Sequence, residues 1–400
     1  IKREHYSLVF FLDLGSGSLR KIDEYLKEKE VFILDHHSIE SYTTERIHLL
    51  NPLLYGIDGN SHISGAGVCY LFAKALNPRN MDLAHIALLG AIGDMQESNG
   101  FSSSLNSFIL DDAVSSGKIE VKIGLRMFGM QTRPLDKMLE YTADPYIPGV
   151  SGSGEGARAF IEELGIDARL DGKYKKLVQL KEEDMKRLIT GIILRRLGSE
   201  ERPDDVLGKI YLLNEESDES PMRDAKEFST LLNACGRLHK PAVGIGSCLR
   251  DPLLQKEAIH LLTHYKREII QGLNWFYAHK DKVLTGDGYA IINAGSSVRD
   301  TMIGTLASIL SKNNMYREGT VIISFAYTLD GYIKISARSV YNKELDLREM
   351  MSSIVEKVGG ICGGHSSAAG ALIRQDKEEE FIKTAVDTLN KLSPLQNRKV

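Results

Sequence analysis

Two short apolar runs near the N-terminus, Ser7–Leu12 and Val31–Leu34, do not alternate with polar residues, and each stops abruptly on an acid, Asp13 and Asp35. Unbroken apolar runs of this length read as strands buried on both faces. Between them Leu19, Ile22 and Leu26 recur at helical spacing behind Ser18, a natural N-cap, which predicts a helix within 18–29. Strand, helix and strand in this order form a βαβ unit, whose right-handed crossover lays the strands parallel with their C-terminal ends on one edge. That edge receives Asp13, Asp35, His36 and His37. Arg46–Leu50, stopped by Asn51-Pro52, predicts a third strand.

Further on, Ser64-Gly-Ala-Gly opens an apolar helix over 68–76, and a second over 81–91 delivers Gly93-Asp94. The glycine-rich stretch 149–156 reads as a flexible linker, and 157–197 is helical with mixed charge, either a solvated face or a nucleic-acid or partner surface. The acidic stretch 215–219 reads as a solvated loop. A second organised region starts near Arg223: 228–232 leads into Asn233-Ala-Cys-Gly-Arg237, and 255–276 is a long helix that places the only Trp, Trp275, in a core. Strands are predicted over 289–292 and 320–326, followed by a hairpin turn at Leu329-Asp330-Gly331 and a strand over 332–340. In that last strand Ile333, Ile335 and Ala337 share one face while Lys334, Ser336 and Arg338 share the other, either a wet face or a groove in which Arg grips phosphate. Finally, GGICGGHSSAAG (359–370) plants His365 among paired glycines, which let the backbone approach a ligand, with small residues after them for tight packing or a helix start.

Composition narrows the class. Apolar and charged fractions of 42% and 26% are those of a soluble globular protein, no apolar run approaches a membrane span, and four scattered cysteines argue against a disulfide framework or zinc cluster, which fits a reducing cytoplasm. With 400 residues, two domains and an insertion are expected. A formal charge of −4 means that any polyanion is held by a local basic groove or through bound metal. An Asp-His-His triplet ending a parallel strand is either a polar turn or a metal site, and Asp94 is either a helix-end turn residue or, in the company of Asp13 and His36, a ligand.

Together, Asp13 in FLDLGS, Asp35-His36-His37, Asn51-Pro52, Gly93-Asp94 and the distant GGICGGHSSAAG resemble the DHH phosphoesterase superfamily with its DHH-associated C-terminal domain. Asn233–Arg237 and the PYIPG stretch at 145–149 bring the chain nearest to archaeal RecJ-like single-strand exonucleases, relatives of bacterial RecJ and of the helicase cofactor that binds GINS. The resemblance implies an α/β fold in three parts. These are a parallel-sheet DHH domain over 1–125, a helical insertion and linker over 126–222, and a smaller α/β substrate-binding domain over 223–400, with the active site in the cleft between the first and the last. It further implies two manganese ions, with magnesium as the alternative, bridged by Asp13 and held by His36 and Asp94. His37 would contact the scissile phosphate, Asp35 would orient the histidines, and Asn233, Arg237, Arg338, Gly363, Gly364 and His365 would bind substrate.

The implied function is a manganese-dependent exonuclease acting on single-stranded DNA or RNA in replication or repair, cytoplasmic, with GINS as a partner and no membrane association. The rivals are a small-substrate phosphodiesterase of the same superfamily, acting on oligonucleotides or cyclic dinucleotides, and a non-catalytic replication scaffold. The length of the insertion argues against the first, and the retained ligand residues argue against the second. The family's first motif, an HxDxDG-like loop supplying three more ligands, has no counterpart here. The missing Met and the buried-type opening strand lead us to expect it upstream of Ile1, and to expect a chain starting at Ile1 to be inactive until extended.

Overall fold

The structure is a computed structural model describing residues 3–102, 104–142, 145–199, 202–312, 315–341 and 345–396. The chain divides into two compact units, Ile1–Asn233 with Gly244–Gln255, and Ala234–Val243 with Lys256–Val400. Among the described residues no helix is long and apolar enough to cross a membrane.

In the first unit, β1 (Leu8–Leu12), β2 (Glu30–Leu34) and β3 (Ile47–Leu50) form a parallel sheet in the order β1-β2-β3. Helix α1 (Leu19–Tyr25) makes the crossover, and its Leu19 and Ile22, with Leu26 just beyond, pack on Val31, Ile33 and Ile47. Burying one such side chain fully is worth roughly 1.5–3 kcal/mol. Two expectations are corrected here. Ser18 stands at the N-cap but its side chain makes no capping hydrogen bond. Strand β1 is not buried on both faces: Val9 and Phe11 pack on the α1 cluster, whereas Leu8, Phe10 and Leu12 on the other face remain 44%, 43% and 49% exposed, with Phe10 partly covered by its stacking on Phe32.

Three helices follow: α2 (Gly65–Leu76), α3 (Ala84–Gly93) and α4 (Leu105–Ser115). Helix α2 begins before the predicted Val68 because Ser64 Oγ accepts from the Gly67 amide at 3.2 Å and so caps it. Helix α3 begins later than Met81, since Pro78–Leu83 forms a 3-10 turn. It buries residues on every side (Ala87, Leu88, Leu89, Ala91, Ile92), as a helix packed between α2 and α4 must.

The region predicted to be a helical insertion is framed by a strand pair that local patterning did not reveal. Strand β4 (Ile119–Leu125) leads through α5 (Leu135–Glu140), α6 (Gly154–Glu163), the hairpin of β5 (Arg169–Leu170) and β6 (Lys173–Tyr174), and α7 (Glu182–Arg196) to β7 (Leu207–Leu213). Strands β4 and β7 pair antiparallel from Ile119↔Leu213 to Leu125↔Leu207. The charged stretch 157–197 is therefore two helices broken by a hairpin, with Phe160, Leu188 and Ile192 in a common core. The glycine-rich stretch 149–156 is not a linker. Val150 is buried, Ser153 caps α6 by accepting from Gly156 N at 2.9 Å, and a Cβ at Gly156 would lie 2.0 Å from Gly149 O. Gly156 serves close backbone approach, while Gly149 (φ 72°) and Gly152 (φ 81°) hold left-handed turns that favour glycine.

Three helices, α8 (Ala225–Arg237), α9 (Pro241–Cys248) and α10 (Pro252–Ala278), carry the chain into the second unit. There β8 (Leu284–Gly286), β9 (Tyr289–Gly295), α11 (Ile303–Lys312), β10 (Val321–Tyr327), β11 (Tyr332–Ser339), α12 (Leu347–Val358), β12 (Ile361–His365), β13 (Ala368–Arg374) and α13 (Glu378–Gln396) build a sheet of order β12-β13-β11-β10-β9-β8. The β10–β11 turn at Leu329-Asp330-Gly331 is as predicted. Ile333, Ile335 and Ala337 face a core shared with α12 and α13. The opposite face of β11 is neither fully wet nor an open groove, because α11 lies against it and Ser336 is buried. Trp275 is not a core residue: it is partly exposed and stacks on His279 at 5.1 Å, while Phe276 beside it is buried. The glycine-histidine stretch starts no helix. It forms the β12–β13 hairpin, where Gly364 (φ 118°) sits so close over its partner that a Cβ would come 2.4 Å from Ala368 O.

Candidate active site

The parallel register sets the geometry. Leu12 pairs with Leu34, so Asp13 and Asp35 leave adjacent strand ends together, and the Asp13 amide bonds Leu34 O at 2.9 Å. Asp13 turns into the left-handed region (φ 63°), a conformation that Asp tolerates better than most residues. Its carboxylate, 61% exposed, lies 3.2 Å from Nε2 of His36, whose ring is 2% exposed. On its other side the His36 ring donates from Nδ1 to Gly59 O at 2.7 Å and lies 3.8 Å from Asp94 Oδ2. Asp94 caps α3, with its amide bonded to Gly90 O. Asp94 is therefore a helix-end residue that also stands beside His36.

Asp35 is fully buried and orders the loop from within. It accepts from the amides of Ser16 (2.9 Å), His36 (2.8 Å) and His37 (3.2 Å) and from His37 Nδ1 at 2.7 Å. Burial alone would raise its carboxyl, but the His37 and Ser16 hydrogen bonds outweigh that and hold it well below the usual carboxylate range. His36 is buried, which opposes charge, yet Asp13, the Gly59 carbonyl and Asp94 together lift it to about 9. Asp94 is pushed up by burial, and the neighbouring Asp13 charge adds to this against the pull of His36. Burial, then the charges of Asp13 and Asp35, raise the Cys69 thiol to about 11.

This is a negative pocket with carboxylate oxygens and imidazole nitrogens converging; one oxygen or nitrogen from each of Asp13, Asp35 and His37 falls within 4.8 Å of the others. That donor set fits a hard divalent cation such as manganese or magnesium, which would neutralise the charge the acids bring together. Sequence reasoning overlooked the residues that hold these groups in place. Asn51, read as a strand end and as part of the family resemblance but given no role, is fully buried and donates to Ser16 Oγ and His37 O, each at 2.9 Å. Gly65 lies so near Asp13 that it has room for no side chain, and a Cβ at Gly59 would lie 2.1 Å from His36 O. Gln96 joins Gly59 to Asp94. The glycines carry no local sign of such a role, because the crowding comes from residues far along the chain.

The other predicted residues fall in two places. Asn233 and Arg237 lie one turn apart on α8, with the divide between the units falling between them. In the second unit Thr301 Oγ1 bonds Arg237 O at 2.6 Å. Register places His365 and Arg338 on either side of Ala368 in one cross-strand row, and Gly363, Gly370 and Ser336 form the next row on the same face. Gly363 has nothing within 4 Å of an added Cβ, so the small residues leave space on this face. Gly364 faces the opposite side, in the row of Ala337 and Ala369. The Arg338 guanidinium donates to Ser308 Oγ (2.8 Å), Ser336 Oγ (3.0 Å) and Ala337 O (2.7 Å), and burial, then the nearby Arg237 charge, lower its pKa.

Residues 127–207 match the DHH-CID domain and residues 286–391 the DHHA1 domain. The chain is 33% identical over 384 residues to the uncharacterized protein MJ0831 of Methanocaldococcus jannaschii, covering 94% of this chain and 79% of that one. Its fold is similar to CDC45 from Entamoeba histolytica (TM-score 0.61, 13% identity, 97% of this chain and 85% of that). It is also similar to RecJ from Thermus thermophilus, crystallised with Mn2+ (TM-score 0.55, 16% identity, 96% of this chain and 45% of that). With both domain matches in the order that the motifs imply, and a relative alike over nearly the whole chain, the protein belongs to the DHH superfamily, generally phosphoesterases, and resembles RecJ in fold.

Proposed function

We propose that the protein is a manganese-dependent exonuclease that hydrolyses phosphodiester bonds of single-stranded DNA or RNA. The observation that carries this reading is the gathering of Asp13, Asp35, His36 and His37 at the C-terminal edge of the parallel sheet, with Asp94 on the Nδ1 side of the His36 ring. Asp13, exposed and shared, His36 through Nε2, and Asp94 would hold the divalent cations, magnesium serving as the alternative to manganese. When bound, such ions activate water and neutralise charge on the phosphate. Asp35 fixes the His37 ring, 31% exposed, by accepting from its Nδ1, and so orients the ring that would meet the scissile phosphate. Arg338 of the second unit, already ordered by Ser308 and Ser336, would grip a backbone phosphate, with Arg237, Asn233, His365 and the open backbone at Gly363 completing the substrate contacts.

End-labelled single-stranded and duplex DNA and RNA, incubated with the protein with and without manganese, test the proposal. Manganese-dependent shortening of single strands by the full-length gene product is expected, and no cleavage of any substrate by it would overturn the proposal. One observation favours a second reading, a non-catalytic replication component that contacts GINS: the likeness in fold to CDC45. Binding to replication proteins by an inert protein would select it.

A further inference from the structure

Two residues past Asp94, Gln96 is buried, with 2% of its surface exposed, and every polar atom of its amide is engaged. Nε2 donates to Asp94 Oδ2 at 2.8 Å and to Gly59 O at 2.9 Å, while Oε1 accepts from Asn106 Nδ2 at 2.9 Å. Carboxylate and carbonyl oxygens only accept, and an amide NH2 only donates, so one orientation of the Gln96 amide satisfies all three partners. The Gly59 carbonyl that Gln96 holds also accepts from His36 Nδ1 at 2.7 Å. Nδ1 therefore carries a proton, and Nε2 is the nitrogen turned toward Asp13. The backbone supports this placement: Met95 adopts a left-handed turn (φ 61°), and the Gln96 amide bonds Ala91 O at 2.9 Å.

One buried side chain is thus bonded directly to one candidate ligand and, through a shared carbonyl, to another. We infer that Gln96 is a positioning residue that sets the Asp94 carboxylate and the His36 imidazole relative to one another for metal binding, with Asn106 locking its amide. This rests on the reading of Asp13, His36 and Asp94 as metal ligands. Gln96 belongs to the support behind the ligands, where substitutions cost about 10–100-fold in metal affinity or activity.

The test measures Mn2+ affinity by electron paramagnetic resonance of the free ion, together with kcat and KM on a single-stranded oligonucleotide and Tm in EDTA. The wild type is compared with Gln96→Glu, Gln96→Leu and Asn106→Leu. Gln96→Glu keeps the shape and the Asn106 bond but sets an acceptor against Gly59 O and Asp94. It is expected to weaken Mn2+ binding roughly 10–100-fold and to lower kcat, with KM unchanged. Asn106→Leu frees the amide to turn and should give a smaller loss in the same direction. A variant that melts lower but, where folded, binds Mn2+ as the wild type does overturns the inference, as does unchanged Mn2+ affinity in Gln96→Glu. A wild type that binds no Mn2+ at millimolar concentration overturns the ligand reading and this inference with it. Normal wild-type binding with an unaffected Gln96→Glu overturns the positioning role alone.

Discussion

Gly65 and Asp13 are in such close contact that a Cβ on Gly65 would stand 2.1 Å from Asp13 Oδ1. The first turn of α2 therefore forms one wall of the carboxylate's position, and a single methyl group tests that wall. Gly65→Ala is expected to leave Tm unchanged or lower it slightly, because the overlap with Asp13 Cγ (2.6 Å) and Cβ (2.8 Å) offsets the helix preference of Ala over Gly, at most about 1 kcal/mol. Manganese-dependent cleavage should nevertheless fall by one to two orders of magnitude, because a displacement of about 1 Å in a catalytic group costs on the order of 100-fold. Wild-type cleavage in Gly65→Ala would show that the Asp13 position does not matter.

Asp13→Asn separates charge from shape. Asn tolerates the left-handed backbone at φ 63°, and the side chain is largely exposed, so thermal unfolding should match the wild type. Removing the shared carboxylate takes away several kcal/mol of transition-state stabilisation, at least about 100-fold in rate. Cleavage assays beside melting curves decide this: retained wild-type activity would sink the assignment of Asp13 as a metal ligand.

Outside the site, Asp224 makes a prediction about pH. It is buried, and burial lifts its carboxyl to about 6 although it accepts from the amides of Lys226 (2.9 Å) and Glu227 (3.0 Å). The folded state therefore keeps its proton while the unfolded state, with an ordinary carboxyl near 3.8, has lost it. Its contribution is most favourable below pH 4 and declines as pH rises toward 6. Asp224→Asn retains an acceptor and cannot ionise, so it should match the wild type near pH 4 and melt higher above pH 6. Equal pH profiles of Tm for the two proteins would refute the shift. Asp35 acts with the opposite sign, its contribution being lost as pH falls below about 4.

Arg338 and His365, flanking Ala368 in one row, are predicted to hold substrate phosphate. Arg338→Ala should weaken single-strand binding and make the slope of log K against log salt shallower by about 0.7, as expected when one phosphate fewer is neutralised on a single strand. His365→Ala should weaken binding as well. An unchanged slope for Arg338→Ala would assign Arg338 to the packing of Ser308 and Ser336 alone.

Much of this was legible in the chain because it is local. Unbroken apolar runs ending on Asp13 and Asp35, with a helical period between them, determine a βαβ unit, and the handedness of that unit alone brings the acids and histidines to one edge. The turn at 329–331 and the alternation along β11 were equally plain, since period and turn chemistry act over a few residues. What only the tertiary structure decided depends on distant partners. Strands β4 and β7 are recognisable only through each other, across some eighty residues. The glycines at 149–156 looked like slack because a sequence cannot tell a glycine chosen for freedom from one chosen for close packing. Gly59 and Gly65 show the same ambiguity, resolved by His36 O and Asp13 Oδ1 standing where their side chains would be. Gln96 and Asn51 are ordinary polar residues until burial leaves them with specific hydrogen-bond partners, and burial is a property of the folded chain.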